Sequence, residues 1–173
     1  MRTCSHFMPY TCHPHNDTNF EPQVLDSFED TFGHGLIDSL DRSRTSPEEQ
    51  ARVVARWPYG LLSHDFLRSA EDPIFIYGNS AALRMFGYTW EEITTLPSRK
   101  SGEKDWRGER QELLDGVKES GKGTAPGEVP AVPQTVWRVT KAGQRIKISV
   151  LVWNLKDARG RIVGQAARGT ACD

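Results

Sequence analysis

The spacing of apolar residues divides the chain into an N-terminal helical part and a longer part of strands and short helices. Residues 24–40 carry apolar side chains at the spacing of an amphipathic helix, with an interruption expected at residues 33–35. A second helix is predicted to begin after Ser46, with Pro47 in its first turn, and to end before Pro58. Because both helices precede the first strand, we expect them to lie across the sheet or to form a dimer contact.

Five short segments have the composition of β-strands. Two are predicted at residues 59–64 and 74–78, and three more at 135–140, 145–155 and 161–168. The last three are joined by connections of a few residues, which requires neighbouring strands to pair antiparallel. The predicted fold class is therefore α+β, with one five-stranded antiparallel sheet.

Three short helices are predicted between the second and third strands. The first occupies residues 79–86 and ends at Gly87, where a helix commonly stops. The second begins at Thr89, which forms a capping box with Glu92, and the third covers residues 106–117. Helices grouped between two runs of strands imply that they cover one face of the sheet.

The charge balance and the cysteines limit the partners and the compartment. The chain has 22 basic and 23 acidic side chains, so no strong field attracts nucleic acid, and no apolar run approaches a membrane span. Cys4, Cys12 and Cys172 are odd in number and lie near the ends, which favours a reducing, cytoplasmic location. Residues 1–20 are predicted to be a disordered tail; because Asp17 is their first acidic residue, an organelle transit peptide remains the alternative.

Three side-chain amides are candidates for binding a ligand. In the longest predicted strand, polar and apolar residues alternate, and the alternation places Asn154 on the apolar face. A buried amide without a partner costs about 1–3 kcal/mol, so Asn154 must bond either to a ligand or to the backbone. Asn79 either binds a ligand or caps the helix that follows it. Alternation does not decide the face of Gln165.

Other candidates each have a structural alternative. Arg110 lies in an apolar helical stripe, where it either meets an acidic ligand or extends to solvent. Trp153 either stacks on an aromatic ligand or packs in the core. An anion-binding loop is predicted at Ser98, Arg99 and Lys100, with an ordinary surface loop as the alternative.

No motif predicts catalysis or a metal site. Ser63, His64 and Asp65 have the residue types of a catalytic triad, but such groups must meet in space rather than along the chain. A nucleophile elbow, a phosphate-binding loop and a zinc-protease helix are all missing from the sequence. The cysteines and histidines of residues 1–20 fit no closed zinc pattern.

Several motifs together resemble the MEKHLA domain. They are found at residues 72–79, 86–92, 96–99, 152–155 and 164–167. The resemblance covers about residues 62–167, and the order of strands and helices is that of the PAS fold. We therefore expect a PAS-like MEKHLA domain at 59–170, preceded by N-terminal helices at 21–58.

The resemblance implies a sensory or regulatory module. MEKHLA domains occur alone in bacteria and algae, and at the C-terminus of plant homeodomain–leucine-zipper regulators; this chain lacks a basic zipper and resembles the stand-alone form. In flavin-binding PAS relatives, Asn and Gln on the last strands bond to the flavin ring, which implies a polar lining of Asn79, Asn154 and Gln165. The reactive cysteine motif of blue-light domains is missing, so thiol–flavin photochemistry is not expected. The Pro-rich insertion at 121–135 departs from the family pattern.

The expected function is binding of a small ligand, with a flavin or another small molecule as the cofactor class left open. A homodimer through the N-terminal helices and the outer sheet face is expected, without direct contact to nucleic acid or membrane. One alternative is a pure protein-interaction module whose core is filled by its own side chains. The other is a small enzyme in which His64 or Arg110 is catalytic.

Overall fold

The computed structural model describes residues 20–66, 72–102 and 133–172. The predicted helix at 106–117, the candidate Arg110 and most of the insertion at 121–135 lie outside the described residues. Within those residues, no helix is both long enough and apolar enough to cross a membrane.

A single antiparallel sheet of five strands forms the centre of the fold, as predicted. Its spatial order is β2-β1-β5-β4-β3, so the first and last strands of the chain lie side by side in the middle. Every neighbouring pair is antiparallel. The strands are β1 (Gly60–Asp65), β2 (Phe75–Gly78), β3 (Gln134–Val139), β4 (Arg145–Lys156) and β5 (Ile162–Ala171).

Four α-helices are described, and their ends follow from local capping. They are α1 (Phe20–Phe32), α2 (Pro47–Arg56), α3 (Ser80–Phe86) and α4 (Trp90–Ile93), and a 3₁₀ turn (Ser98–Ser101) follows them. The predicted capping box at α4 is confirmed, because Thr89 and Glu92 each accept a backbone N–H of the other. At α2, the Ser46 side chain accepts the N–H of Glu49.

Helix α1 ends at the interruption that was expected at residues 33–35 of the helix predicted at 24–40, and it does not resume afterwards. It ends because Gly33 adopts a φ of +74°, a conformation that side chains other than glycine rarely take, and its N–H bonds to the Glu29 carbonyl at 2.8 Å. The chain then folds back, so that Leu36 and Ile37 are buried in the same core as α1. The apolar spacing beyond Gly33 therefore reflects burial of a turn.

Helix α1 lies across one face of the sheet, which we call the outer face. On β4 this face carries Leu151, Trp153 and Leu155, which share a buried cluster with residues of α1. Trp153 is fully buried, with its ring 5.0 Å from that of Phe28 in an edge-on arrangement. One of the two expected positions of the N-terminal helices, across the sheet, is thus present within a single chain.

Short helices cover the opposite, inner face. Helix α3 packs against β1 and β2, and Phe86 at its end joins a buried cluster with Ile148, Val150 and Val152 of β4. These β4 residues alternate with those that contact α1, as strand geometry requires. Strand β4 therefore separates two cores and contacts both.

Candidate functional site

Four side chains form a row across the inner face of the sheet, running from edge strand β2 to β4. The strand register pairs Phe75 with His64, His64 with Gln165, and Gln165 with Asn154. Directly paired residues lie on the same face, so the sheet brings one imidazole and two amides together beside an aromatic ring. All four residues are buried.

The two amides in this row bond to each other. The Gln165 amide nitrogen donates to the Asn154 side-chain oxygen at 3.2 Å, and the two residues are 1% and 0% exposed. Sequence alternation placed Asn154 on this face but could not place Gln165, whose neighbours are small on both sides. The missing information was the register of β5 against β4, which pairs the two residues.

A cavity of about 60 Å³ lies between this row and helix α3. Gln165 lines the cavity, whereas its partner Asn154 does not contact the cavity. Most of the wall is apolar, and the polar side chains that reach it are His64, Ser101, Arg138 and Gln165. The apolar part comprises Leu62, Phe75, Ala82, Met85, Phe86, Ile148, Val150, Val152, Ala166 and Ala167, with Gly60 and Gly169.

The volume of this cavity limits what it can hold. A single water needs about 10–15 Å³, whereas a cavity that binds benzene measures about 150 Å³. The cavity therefore has room for a few waters or a ligand of a few heavy atoms. A flavin ring is larger than the space that the described residues enclose here.

Two cavity residues were missed as ligand contacts by the sequence reading. His64 is buried between aromatic rings, with centroids 5.5 Å from Phe66 and 6.3 Å from Phe75. Arg138 is buried on β3, and its guanidinium donates to the Trp137 carbonyl at 2.8 Å. Alternation within β1, where His64 follows Leu62 by two residues, is the signal that could have identified His64.

The Asn79 side chain forms hydrogen bonds with the backbone of three elements. Its side-chain oxygen accepts the N–H groups of Leu61 and Ala82 at 2.9 and 3.0 Å. Its amide nitrogen donates to the carbonyls of Tyr59, Trp57 and Val54 at 2.9, 3.3 and 3.3 Å. Asn79 thus caps α3 and joins it to the end of α2 and the start of β1, which is the structural alternative named for it.

The other sequence candidates among the described residues do not line the cavity. Trp153 is on the outer face, against α1. Ser98 is fully buried, and its N–H donates to the Pro73 carbonyl at 2.8 Å. Arg99 pairs with Asp72 at 2.8 Å, and Lys100 is exposed, so the anion-binding loop at 98–100 stays a prediction.

Ser63 and His64 do not meet as members of a triad. Ser63 pairs with Ala166 on the outer face, whereas His64 pairs with Gln165 on the inner face, so the two side chains point in opposite directions. No group of three or more His, Cys, Asp or Glu side chains able to hold a metal is found among residues 20–66, 72–102 and 133–172.

A five-stranded antiparallel sheet with a small cavity beneath short helices defines the PAS class of domains, and solved structures agree. The chain is similar to the PAS domain of a Colwellia psychrerythraea protein (TM-score 0.58, 13% identity, covering 72% of this chain and 95% of that one). It is also similar to an RNA-binding light-oxygen-voltage receptor (TM-score 0.57, 16% identity, covering 78% of this chain and 35% of that one). A third similar structure is the light-oxygen-voltage domain of the Erythrobacter litoralis EL346 blue-light activated histidine kinase (TM-score 0.51, 21% identity, covering 67% of this chain and 97% of that one).

Within this class, the sequence matches the MEKHLA domain over residues 18–171. The chain belongs to the MEKHLA domain family. The matched region includes both N-terminal helices, α1 and α2. A comparison with curated proteins found no match.

Proposed function

We propose that this chain is a sensory module whose inner-face cavity binds a small ligand and whose sheet transmits binding to helix α1. The observation that carries the proposal is the position of the Asn154–Gln165 amide pair. Gln165 lines the cavity, and its hydrogen-bond partner Asn154 lies on the strand that contacts α1 from its other face. A ligand that bonds to Gln165 competes with a bond inside that strand pair.

The wall of the cavity indicates the chemistry of the ligand. A mostly apolar wall with a few polar groups favours a compact apolar molecule that carries one hydrogen-bonding group. Gln165 and His64 adjoin in the strand register and both reach the cavity, so together they supply donors and acceptors for that group. The volume restricts the ligand to a few heavy atoms unless the cavity expands on binding.

The alternation of side chains along β4 supports transmission to α1. Trp153 and Leu155 flank Asn154 and pack under α1, so a shift of Asn154 moves residues that hold the helix. At the end of β4, both backbone groups of Lys156 bond to side chains of α1. A ligand with different affinity for two arrangements of β4 and β5 shifts the population of α1 packing.

The test combines native mass spectrometry with thermal melting in a library of small molecules. A true ligand at about 100 times its Kd raises Tm by roughly 5–10 °C. Ala167→Leu fills the cavity and is expected to abolish that rise. Ala171→Leu is the matched control, because Ala171 lies on the same strand, is exposed and does not line the cavity.

Filling a core can itself destabilise a protein, so each variant is first melted without ligand. Gln165→Leu is a second probe that keeps the side-chain size and removes the amide. A ligand that stabilises the parent chain and both cavity variants equally would show that it binds elsewhere. If no compound stabilises or co-purifies with the parent chain, the ligand proposal is lost.

The second candidate function is a pure interaction module. It is favoured by the small cavity and by the bond of Asn154 to another protein side chain. In that case Ala167→Leu leaves partner binding intact and changes only the melting temperature. Capture of the same partner by the parent chain and by Ala167→Leu would support this candidate over ligand sensing.

We also propose that two copies associate through the exposed faces of α1 and α2. On the described residues, α1 exposes Glu29 and Asp30, and α2 exposes Arg52 and Arg56. A two-fold contact brings the acidic residues of α1 in one copy to Arg52 and Arg56 of the other copy, which lie beyond the acidic first turn of α2. Such a dimer is expected to dissociate as salt is raised. Light scattering at low and high salt tests this, and a monomer under both conditions would refute it.

A further inference from the structure

A second cavity of about 150 Å³ lies on the outer face of the sheet, beside the part that α1 covers. It is a groove over β4 and β5, with Tyr59 on one side and Pro133 at the end of β3. Leu151 and Gly169 form part of its floor. Its remaining wall is polar and consists of Ser149, Arg168 and Thr170.

The sheet register brings these three polar residues together. Ser149 on β4 pairs directly with Thr170 on β5, and Arg168 is two residues from Thr170 on the same face. Arg168 stacks on Tyr59, with its guanidinium carbon 5.9 Å from the ring centroid. Tyr59 is 44% exposed, so it forms an open side wall rather than a lid.

None of these three side chains has a hydrogen bond or an ion pair within residues 20–66, 72–102 and 133–172. Toward this part of the chain, Arg168 therefore keeps all of its N–H donors available, while Ser149 and Thr170 each present a hydroxyl. No carboxylate among the residues that the structure describes lines the groove. Lys147, exposed on the same face of β4, adds a second positive charge two residues before Ser149.

We propose that this groove binds a tetrahedral oxyanion, either free phosphate or the phosphate of a monoester. A guanidinium fork matches two oxygens of such a group, and charge-assisted bonds of this kind are about twice as strong as neutral ones. The paired hydroxyls supply donors for the remaining oxygens. The open side at Tyr59 leaves space for the rest of an ester, and the ring offers it a surface.

The position of the groove links it to the N-terminal helices. Tyr59 contacts Trp57, the residue that follows α2, with ring centroids 5.0 Å apart. An anion that holds Arg168 against the groove fixes Tyr59 and, through it, the end of α2. The site is on the opposite face from the Gln165 cavity, so the two are separable by mutation.

The test is an NMR titration of the full isotope-labelled chain with inorganic phosphate, and in parallel with phosphoserine. Chloride is adjusted so that ionic strength stays constant. Saturable shifts of the Ser149, Gly169 and Thr170 amides are expected, with a Kd below about 10 mM. Tighter binding of phosphoserine identifies a monoester as the ligand, and tighter binding of phosphate identifies the free ion.

Arg168→Gln is expected to weaken binding at least tenfold, because the charged fork is lost. Arg159→Gln is the matched control, since Arg159 is an exposed arginine in the turn after β4 and leaves the affinity unchanged. Ala167→Leu also leaves it unchanged, which separates this site from the inner cavity. The proposal is overturned if the shifts do not saturate, or if Arg168→Gln binds as tightly as the parent chain.

Discussion

Asn79 shows how one buried side chain can hold several elements together. It makes five hydrogen bonds to the backbone, and it is 2% exposed. Its sequence position before a helix predicted the bond to Ala82, a helix cap. The bonds to Val54, Trp57 and Tyr59 could not be predicted, because they depend on how α2 approaches α3.

Replacing Asn79 by alanine is expected to lower the free energy of unfolding by about 3 kcal/mol or more, since buried N–H and carbonyl groups lose their partner. Thr89→Ala removes an exposed helix cap and serves as the comparison, with an expected loss of about 1 kcal/mol. Urea unfolding of both variants measures the difference. Equal losses would mean that Asn79 acts only as a cap.

Gly164 on β5 lies where no side chain fits between two strands. A Cβ atom at this position would come 2.3 Å from the His64 carbonyl oxygen, which belongs to the backbone and cannot rotate away. Gly164→Ala is therefore expected to separate β1 from β5 and to cost about 2–3 kcal/mol. Gly169→Ala is the control, because its nearest neighbour would be an ordinary 3.7 Å away. Similar melting temperatures for the two variants would contradict this expectation.

Among the secondary-structure elements, the attachment of α1 to β4 is the contact on which signalling would depend. The Ser27 hydroxyl accepts the Lys156 N–H at 3.0 Å, and the Gln23 amide donates to the Lys156 carbonyl at 2.9 Å. A register shift between Leu155 and Lys156 interrupts the β4–β5 ladder at this point. Side chains of α1 therefore satisfy backbone groups next to the irregularity.

Ser27→Ala leaves the Lys156 N–H without this acceptor and is expected to cost about 1–2 kcal/mol. Hydrogen exchange should accelerate at the Lys156 amide and along α1, while β1 and β5 stay protected. Ser39→Ala, at an exposed position in the loop between α1 and α2, is the control and should change neither quantity. Unchanged exchange in α1 after Ser27→Ala would show that apolar packing alone holds the helix.

Local signals in the sequence predicted the ends of helices well where those ends depend on neighbouring residues alone. The capping box of Thr89 and Glu92 fixed the start of α4, and Gly87 fixed the end of α3. The interruption expected at residues 33–35 is the end of α1, because Gly33 stops the helix, whereas Leu36 and Ile37 continue the helical spacing without continuing the helix. Spacing reports burial, and a buried turn produces the same pattern as a helix.

For the fold as a whole, the sheet was predictable, whereas the residues that line the cavity and the groove were only partly predictable. The connections after β3 and β4 require antiparallel pairing, and alternation placed Asn154 inside. The hydrogen-bond partner of Asn154 could not be predicted from the sequence, because the face of the sheet on which Gln165 lies depends on the register of β5 against β4. The same holds for Arg168, which reaches the outer groove through its alignment with Ser149 and Thr170 on that face.

One surface carboxylate with a shifted pKa, that of Glu92, joins distant parts of the chain. The pKa of Glu92 is lowered from 4.5, first by its hydrogen bond to Lys141 in the β3–β4 turn and then by the N–H of Thr89. Because the folded state holds the proton less tightly than the unfolded state, Glu92 contributes stability above pH 4.5. This contribution is lost as pH falls from 4.5 through the lowered folded-state pKa.

Glu92→Gln is therefore expected to be less stable than the parent chain at pH 7, with the difference shrinking as pH falls below 4.5. Asp38→Asn is the control, because Asp38 is exposed and makes no hydrogen bond or ion pair with the described part of the chain. Urea midpoints of the three proteins between pH 7 and pH 3 measure the effect. A difference between Glu92→Gln and the parent that stays constant across this range would show that the bond to Lys141 does not join α4 to the sheet in solution.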